Sequence, residues 1–308
     1  MSRTDKYSKK PRLFLPALIL LLCYSGTAAV GQADNYYSST VHILYSRHVE
    51  QEYAIRISKP ANFNEESSYP VLVYTDADAR IETLNGDNPS THELLHSIAG
   101  EFREADLMPD VVLVGIAYPD GRYRLRNRDF TPSKEDFSEY QSVLRNGEEL
   151  GGADNFLAFI VDELKPFLGE QFTVDENREI YLGHSFGGLF GAFALFRQPS
   201  AFDSYILSSP SLFWGNADYL FPEFETRTVF MMEDEYARTN SDLNKQIVIA
   251  TGSFEGMVTQ TYARTFAEKL ESRNYPRLSL KYFEYSGESH RSVPLPTFRD
   301  GLLAIFAR

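Results

Sequence analysis

The sequence predicts an α/β protein built on a mostly parallel central sheet covered by helices on both faces. Three observations carry this reading. Short apolar runs of strand type recur along the chain. Segments with helical periodicity fall between them. One run, Glu179–Leu182, passes through a tight glycine-containing turn directly into an apolar helix over 189–196.

Taken in order, Val41–Tyr45 and Tyr53–Ser58 alternate as an antiparallel hairpin does. Val71–Tyr74, Val111–Ile116, Ile180–Leu182, Tyr205–Leu207, Ile247–Ala250 and Leu278–Phe283 are short apolar runs typical of buried strands. Phe156, Ile160, Leu164 and Phe167, with Leu157, Val161 and Leu168, share one apolar helical face. Leu295–Phe306 reads as a closing helix. Tyr118–Gly152 is long, polar and charged, and is expected to be an excursion over the mouth of the site, ordered by its own short helix. Residues 34–308 are read as one domain.

The first 33 residues are set apart. Five basic residues up to Arg12 precede the apolar run Leu13–Leu22, and small residues follow through Ala29. This is the pattern of a secretory signal peptide, with candidate cut sites after Ala29, Gly31 or Ala33. The apolar run is short for a membrane span, so no stable membrane insertion is expected after signal removal. Cys23 is the only cysteine. Leu22 before it is not the small residue that lipoprotein processing needs, so lipid anchoring at Cys23 is not expected. Cleavage beyond Cys23 leaves no thiol for disulfides, nucleophilic catalysis or metal binding. The expected location is periplasmic or secreted.

With 308 residues, 43% hydrophobic, the chain can bury one large core or two modest ones. Its net charge is −13, and the basic start makes the remainder more acidic still. Such a body repels nucleic acid and anionic membrane surfaces.

The chemistry is concentrated in Gly183-His-Ser-Phe-Gly187, between the predicted strand and the apolar helix. A G-x-S-x-G turn in that context lifts the Ser185 hydroxyl to the end of the sheet. Glycines at 183 and 187 remove side chains that would collide with neighbouring backbone. The first turn of the helix offers unpaired N–H groups to an oxyanion, Phe186 N–H first among them. A serine nucleophile needs a base, and His290 is the only histidine after Ser185. It sits in a polar turn after the last predicted strand. The orienting acid should follow the penultimate strand, which selects Glu255. Asp218, Glu233, Asp234 and Glu235 are rivals in segments that read as surface helix, and a Ser–His dyad without a close acid is also open. The second oxyanion donor is expected from the loop after Val71–Tyr74, at Asp78 N–H, with its carboxylate turned away.

Several motifs together give a resemblance. They are Val114-Gly-Ile-Ala-Tyr-Pro119, Arg128-Asp-Phe-Thr-Pro132, Gly151-Gly-Ala-Asp-Asn-Phe156, the Ser185 turn, Ser208-Ser-Pro-Ser-Leu-Phe-Trp214 and Ser289-His-Arg-Ser-Val-Pro294. Over about 40–308 the chain resembles the esterase D-like family of α/β-hydrolases, with its nearest likeness to the periplasmic and bacterial trilactone siderophore esterases. The resemblance implies an α/β-hydrolase fold, a nucleophile at Ser185, a base at His290 and a strand-end acid at Glu255. It implies that Arg126, Arg128 and Trp214 line the acyl pocket. The family's oxyanion loop usually reads Asp-Gly-x, and here Ala77 stands in place of the Gly. The substrate class implied is a small-molecule ester, a siderophore lactone or an aromatic acyl ester, with no metal or organic cofactor.

A second motif competes. His92-Glu93-Leu-Leu-His96 matches H-E-x-x-H, the zinc-peptidase arrangement on a helix. It offers a metallohydrolase as the alternative. Ala99 and Phe102 occupy positions where the extended motif needs Gly and His, and the pair flanks an apolar face of Leu95, Ile98 and Phe102. A catalytically silent binding protein on the same fold is a third reading, against which the Ser–His pair argues.

Overall fold

The computed structural model describes residues 36–83, 85–121, 123–133, 149–215 and 229–306. The expected signal segment 1–33, the stretch 134–148 of the excursion, and Asp218 lie outside the described residues.

Eight strands form one sheet: β1 (Tyr37–Ser46), β2 (Gln51–Pro60), β3 (Ser68–Tyr74), β4 (Val112–Ala117), β5 (Thr173–His184), β6 (Ser204–Ser208), β7 (Lys245–Gly252) and β8 (Leu278–Tyr285). Their order is β1-β2-β4-β3-β5-β6-β7-β8. The first two strands form the expected antiparallel hairpin, and β2 joins β4 antiparallel. All later pairings are parallel. Buried on both faces, β4 and β6 carry no polar alternation. Leu278–Phe283 departs from the expected buried strand: β8 is the sheet edge, and its residues alternate between half-buried and exposed.

Successive side chains of a strand point to opposite faces, so each inner strand feeds two cores. From β3, Val71 and Val73 join one core while Leu72 and Tyr74 join the other. Helices α1 (Thr91–Glu104) and α8 (Pro294–Phe306) cover the second face through Leu95, Ile98, Phe298 and Leu302. The first face is covered by α3 (Ala153–Phe159), α4 (Lys165–Gln171), α5 (Phe186–Arg197), α6 (Val229–Thr239) and α7 (Met257–Ser272), with Phe156, Phe190, Phe193 and Phe266 fully buried. Burial of each such ring stabilises by roughly 2–3 kcal/mol before entropy is counted.

The single helix expected over 156–168 is interrupted. Residues Ile160–Leu164 form a π turn in which Lys165 N–H bonds Ile160 O. Pro166 follows and has no N–H to continue the ordinary ladder, so the wide turn falls where one bond is already lost. The apolar face still holds, because Phe156, Leu157, Ile160, Leu164 and Leu168 are all buried. The start of the excursion is ordered by α2 (Arg126–Phe130), preceded by two single 3₁₀ turns. Among the described residues no helix is long and apolar enough to cross a membrane.

Candidate active site

The site lies at the carboxyl ends of the parallel strands, where this architecture leaves loops free to carry chemistry. Ser185 joins β5 to α5 with φ +59° and ψ −118°. A serine held there costs about 1–3 kcal/mol and persists only if its surroundings hold it. They do so through the backbone. Ser185 N–H donates to Ser208 O at 2.9 Å, and Ser185 O accepts from Ser211 N–H at 3.1 Å and Leu189 N–H at 3.0 Å. The turn is closed so tightly that a Cβ on Gly183 would stand 2.3 Å from Gly187 O. Phe186 opens α5, so its N–H belongs to the first helical turn, beside the serine.

Two later loops bring polar groups to this hydroxyl. His290 Nε2 lies 3.0 Å from Ser185 Oγ, and its Nδ1 lies 2.5 Å from Glu255 Oε1. Glu255 follows β7 by three residues and folds back on its own strand end. Its Oε2 accepts from Gly252 N–H at 2.8 Å and from Ser209 Oγ at 2.6 Å. The loop carrying His290 crosses directly over β7 at that point. A Cβ on Gly252 would stand 2.2 Å from Glu288 O, so only glycine lets the two loops meet.

Exposure divides the pair. The Glu255 side chain is 1% exposed and the His290 side chain 46%, so the acid is sealed while the imidazole faces the open hollow. Burial works against the Glu255 charge, but hydrogen bonds from His290, Ser209 and Gly252 outweigh it and hold the carboxyl below its ordinary range. An ionised Glu255 accepts a hydrogen bond from the Nδ1–H of His290. Nε2 is then left as an acceptor facing Ser185 Oγ.

His184 stands on the other side of the base. Its ring centre is 4.5 Å from that of His290, and its Nδ1 lies 3.1 Å from Ser208 O. Burial first, then the neighbouring His290 and Arg126 charges, push its pKa well below the usual imidazole value. A neutral ring therefore packs against the base and adds no competing charge.

The wall opposite is the loop after β3. Thr75 and Asp76 line the hollow at Ser185, a cavity of about 190 Å³, together with Arg126, His184 and His290. Asp78, expected here, does not line it. Its carboxylate is turned to Arg56, with Nε and Nη2 at 2.9 and 2.8 Å. Thr75 N–H and Ala77 N–H are used within the sheet, on Leu182 O and Ile116 O. The intervening Asp76 has φ +56°. Its carboxylate is clamped by Arg126, with Nε at 2.8 Å from Oδ1 and Nη2 at 2.7 Å from Oδ2. Both side chains are buried, so the carboxylate charge beside the serine is matched by a fixed guanidinium.

Residues 46–305 match the family described as "Putative esterase". The chain belongs to this esterase family. It is 30% identical over 259 residues to the ferri-bacillibactin esterase BesA of Bacillus subtilis (strain 168), covering 82% of this chain and 84% of the relative. It is 27% identical over 218 residues to the siderophore triacetylfusarinine C esterase of Aspergillus fumigatus, covering 63% and 70%. Among solved structures, the BES protein from Bacillus cereus superposes with a TM-score of 0.73 at 28% identity, over 88% of this chain and 96% of that one. An IroE-like serine hydrolase from Shewanella oneidensis shares the fold, with a TM-score of 0.71 at 23% identity over 87% and 80%. The esterase thus has the α/β-hydrolase fold, and its class of reaction is carboxylic ester hydrolysis.

Two other residues that the resemblance put in the acyl pocket lie elsewhere in the esterase. Trp214 is 1% exposed and packs edge-on under Phe186, with ring centres 5.3 Å apart, so it supports the first turn of α5 from below. Arg128 donates to Asp129 at 2.7 Å, and the buried Asp129 carboxylate also accepts from Tyr53 and Tyr118 hydroxyls at 2.7 and 2.9 Å. That cluster pins α2 to the sheet. Of the arginine pair, only Arg126 reaches the site.

Two of the rival acids, Glu233 and Asp234, are committed as well. Glu233 is fully buried, against the surface position expected of it, and receives both guanidinium arms of Arg273 at 2.8 Å and the Tyr275 hydroxyl at 3.1 Å. Lys269 binds Asp234 at 2.7 Å. These contacts tie α6 to α7.

The H-E-x-x-H residues have structural partners instead of converging donors. Glu93 caps its own helix, with Oε2 2.7 Å from Ser90 N–H while Ser90 Oγ accepts Glu93 N–H. His92 Nδ1 lies 2.5 Å from Tyr74 Oη, and His96 Nε2 lies 2.6 Å from Ser58 Oγ. Among the described residues no group of three or more His, Cys, Asp or Glu is placed to hold a metal.

Sequence reasoning assigned no role to Ser209, His184 or Asp76. Ser209 and His184 stand inside motifs that carried the family resemblance, and Asp76 aligns with the Asp of the family's Asp-Gly-x loop. A role for each could have been sought there.

Proposed function

We propose that this chain is a secreted or periplasmic serine carboxylesterase that cleaves a small-molecule ester through an acyl-enzyme. The observation that carries the proposal is the relay Ser185 Oγ–His290 Nε2 at 3.0 Å and His290 Nδ1–Glu255 Oε1 at 2.5 Å. His290 accepts the Ser185 proton as Oγ attacks the ester carbonyl. The tetrahedral oxyanion is held by Phe186 N–H and by Asp76 N–H, which replaces Asp78 in this role. Collapse expels the alcohol, which takes the proton from His290. Water, deprotonated by the same imidazole, then attacks the acyl-Ser185 ester and releases the acid. Ionised Glu255 stabilises the imidazolium in both halves of the reaction.

The relatives point to the substrate. One is named a ferri-bacillibactin esterase and another a siderophore triacetylfusarinine C esterase. A siderophore ester is therefore the first substrate to test. The secreted location rests on the basic-then-apolar start of the sequence.

The test is hydrolysis of p-nitrophenyl acetate and of enterobactin by wild type, by Ser185→Ala, and by wild type with EDTA. Loss in the variant and survival in EDTA support the reading. Retained turnover in Ser185→Ala would overturn it, and loss only in EDTA would move the chemistry to His92 and His96.

A further inference from the structure

The hollow at Ser185 measures about 190 Å³, whereas pockets that enclose whole ligands run to roughly 300–1,000 Å³. It has room for the reacting ester and little else. A second hollow of about 670 Å³ adjoins it. The two share Asp76, Ala79 and Arg80, so they meet across the loop that walls the serine.

The second hollow is floored by the outer edge of the sheet. Ile43 on β1 pairs with Ala54 on β2, which in turn pairs with Ala117 at the end of β4. Ala54, Ala77, Ala79 and Ala117 all line it, and their short side chains keep the floor low. Ile43 is 57% exposed, and its neighbours on the same strand face, Val41 and Tyr45, are 53% and 55% exposed. A row of large apolar side chains on an edge strand invites aggregation and is normally avoided. The rim is polar, made by the Arg56–Asp78 pair at 2.8 Å. Charges there are matched, so the rim offers both donors and acceptors without a strong net field. The planar face of a guanidinium also stacks favourably on a flat group.

We propose that this hollow is a second substrate subsite, which holds the arm of the ester remote from the scissile bond. The arm it fits is apolar where it lies on Ile43 and the alanine floor and polar where it meets the Arg56–Asp78 rim. The inference rests on the serine-esterase reading and deepens it by assigning where a large substrate is recognised.

The test uses Ile43→Glu and Arg56→Gln in the full chain, neither of which touches the relay. Each is assayed on p-nitrophenyl acetate and on enterobactin, and enterobactin binding is measured by titration calorimetry in the Ser185→Ala background. Ile43→Glu should leave p-nitrophenyl acetate turnover within about twofold while weakening enterobactin binding and raising its KM about tenfold, a shift of one decade in the binding constant. Arg56→Gln should give a smaller change in the same direction. Unchanged enterobactin binding in Ile43→Glu, or equal losses on both substrates, overturns the subsite. So does absence of enterobactin binding to Ser185→Ala. A change in oligomeric state by light scattering in Ile43→Glu, with substrate selectivity intact, would make the strip a contact between copies instead. If p-nitrophenyl acetate hydrolysis survives Ser185→Ala, the serine reading itself fails, and the calorimetric comparison still decides the subsite.

Discussion

Ser209 Oγ donates to Glu255 Oε2 at 2.6 Å, although the two residues follow different strands. The carboxylate's other oxygen faces His290 Nδ1. Ser209 therefore fixes the rotation of the carboxylate that meets His290 Nδ1. Ser209→Ala should lower kcat by about tenfold with KM little changed, as loss of one charge-assisted hydrogen bond of about 1.5 kcal/mol would. Glu255→Ala should cost on the order of 10²–10⁴ in kcat. Steady-state kinetics on p-nitrophenyl acetate checks both, and a loss below about tenfold in Glu255→Ala would favour a Ser185–His290 dyad.

Ser185 and His290 act as one unit if the 3.0 Å contact is the proton path. Ser185→Ala and His290→Ala should then each remove nearly all turnover, and the double variant should be no worse than either single one. Multiplicative losses in the double variant would mean that the two residues act independently.

Asp76 and Arg126 form a buried pair on the wall of the site. Removing one partner leaves a buried charge, so Arg126→Met should destabilise the fold by about 3–5 kcal/mol. Asp76→Asn keeps one acceptor for Arg126 and the proposed backbone donor, so it should destabilise less than Arg126→Met, and any displacement of the loop should lower kcat more than KM. Urea unfolding and kinetics on the same samples separate the two effects. Equal stability of Arg126→Met and wild type would show that the clamp contributes nothing.

Two histidines on α1 make the fold acid-sensitive. Burial lowers His92 to about 4 and His96 to about 3, with Arg56 adding to the first and His92 to the second. Their unfolded values lie near ~6.5. The unfolded chain therefore binds protons that the folded one refuses. The stability that these groups contribute is complete above about pH 6.5 and is lost as pH falls toward 4 and 3. Urea midpoints between pH 7.5 and 4 should show a slope of up to about two protons, and His96→Asn should remove about one of them. A flat profile over that range would contradict the buried neutral state of both rings.

Gly252 has no room for a side chain, since a Cβ would stand 2.2 Å from Glu288 O. Gly252→Ala should push the His290 loop outward and reduce kcat by about 10² or more, because small misplacements of reacting groups cost that much. Circular dichroism should show the helical content retained, which would locate the defect in the site.

Much of this was legible before the coordinates. Every expected strand is present, because runs such as Val111–Ile116 are apolar, short and rich in β-branched residues, and only β8 differs from a buried strand, being an edge. Ser185 was readable from its glycines, His290 from being the only later histidine, and Glu255 from chain order. That Asp76 and not Asp78 lines the hollow at Ser185 was not, because it follows from the course of the loop, with φ +56° at Asp76 and its carboxylate on Arg126.

By itself, then, the sequence determined the class of fold and the order of its elements, and it pointed to Ser185, His290 and Glu255, which the structure brings within hydrogen-bond distance of one another, because these follow from periodicity and from the order in which strand ends occur along the chain. Only the tertiary structure decided between neighbours of the same type. Arg126 and Arg128 are two residues apart on one short helix, so they point to different sides of it. One clamps Asp76 at the site, and the other pins Asp129 in the core. Trp214 and Glu233 were placed by packing in the same way, since which face of an element is buried depends on what the rest of the chain lays against it.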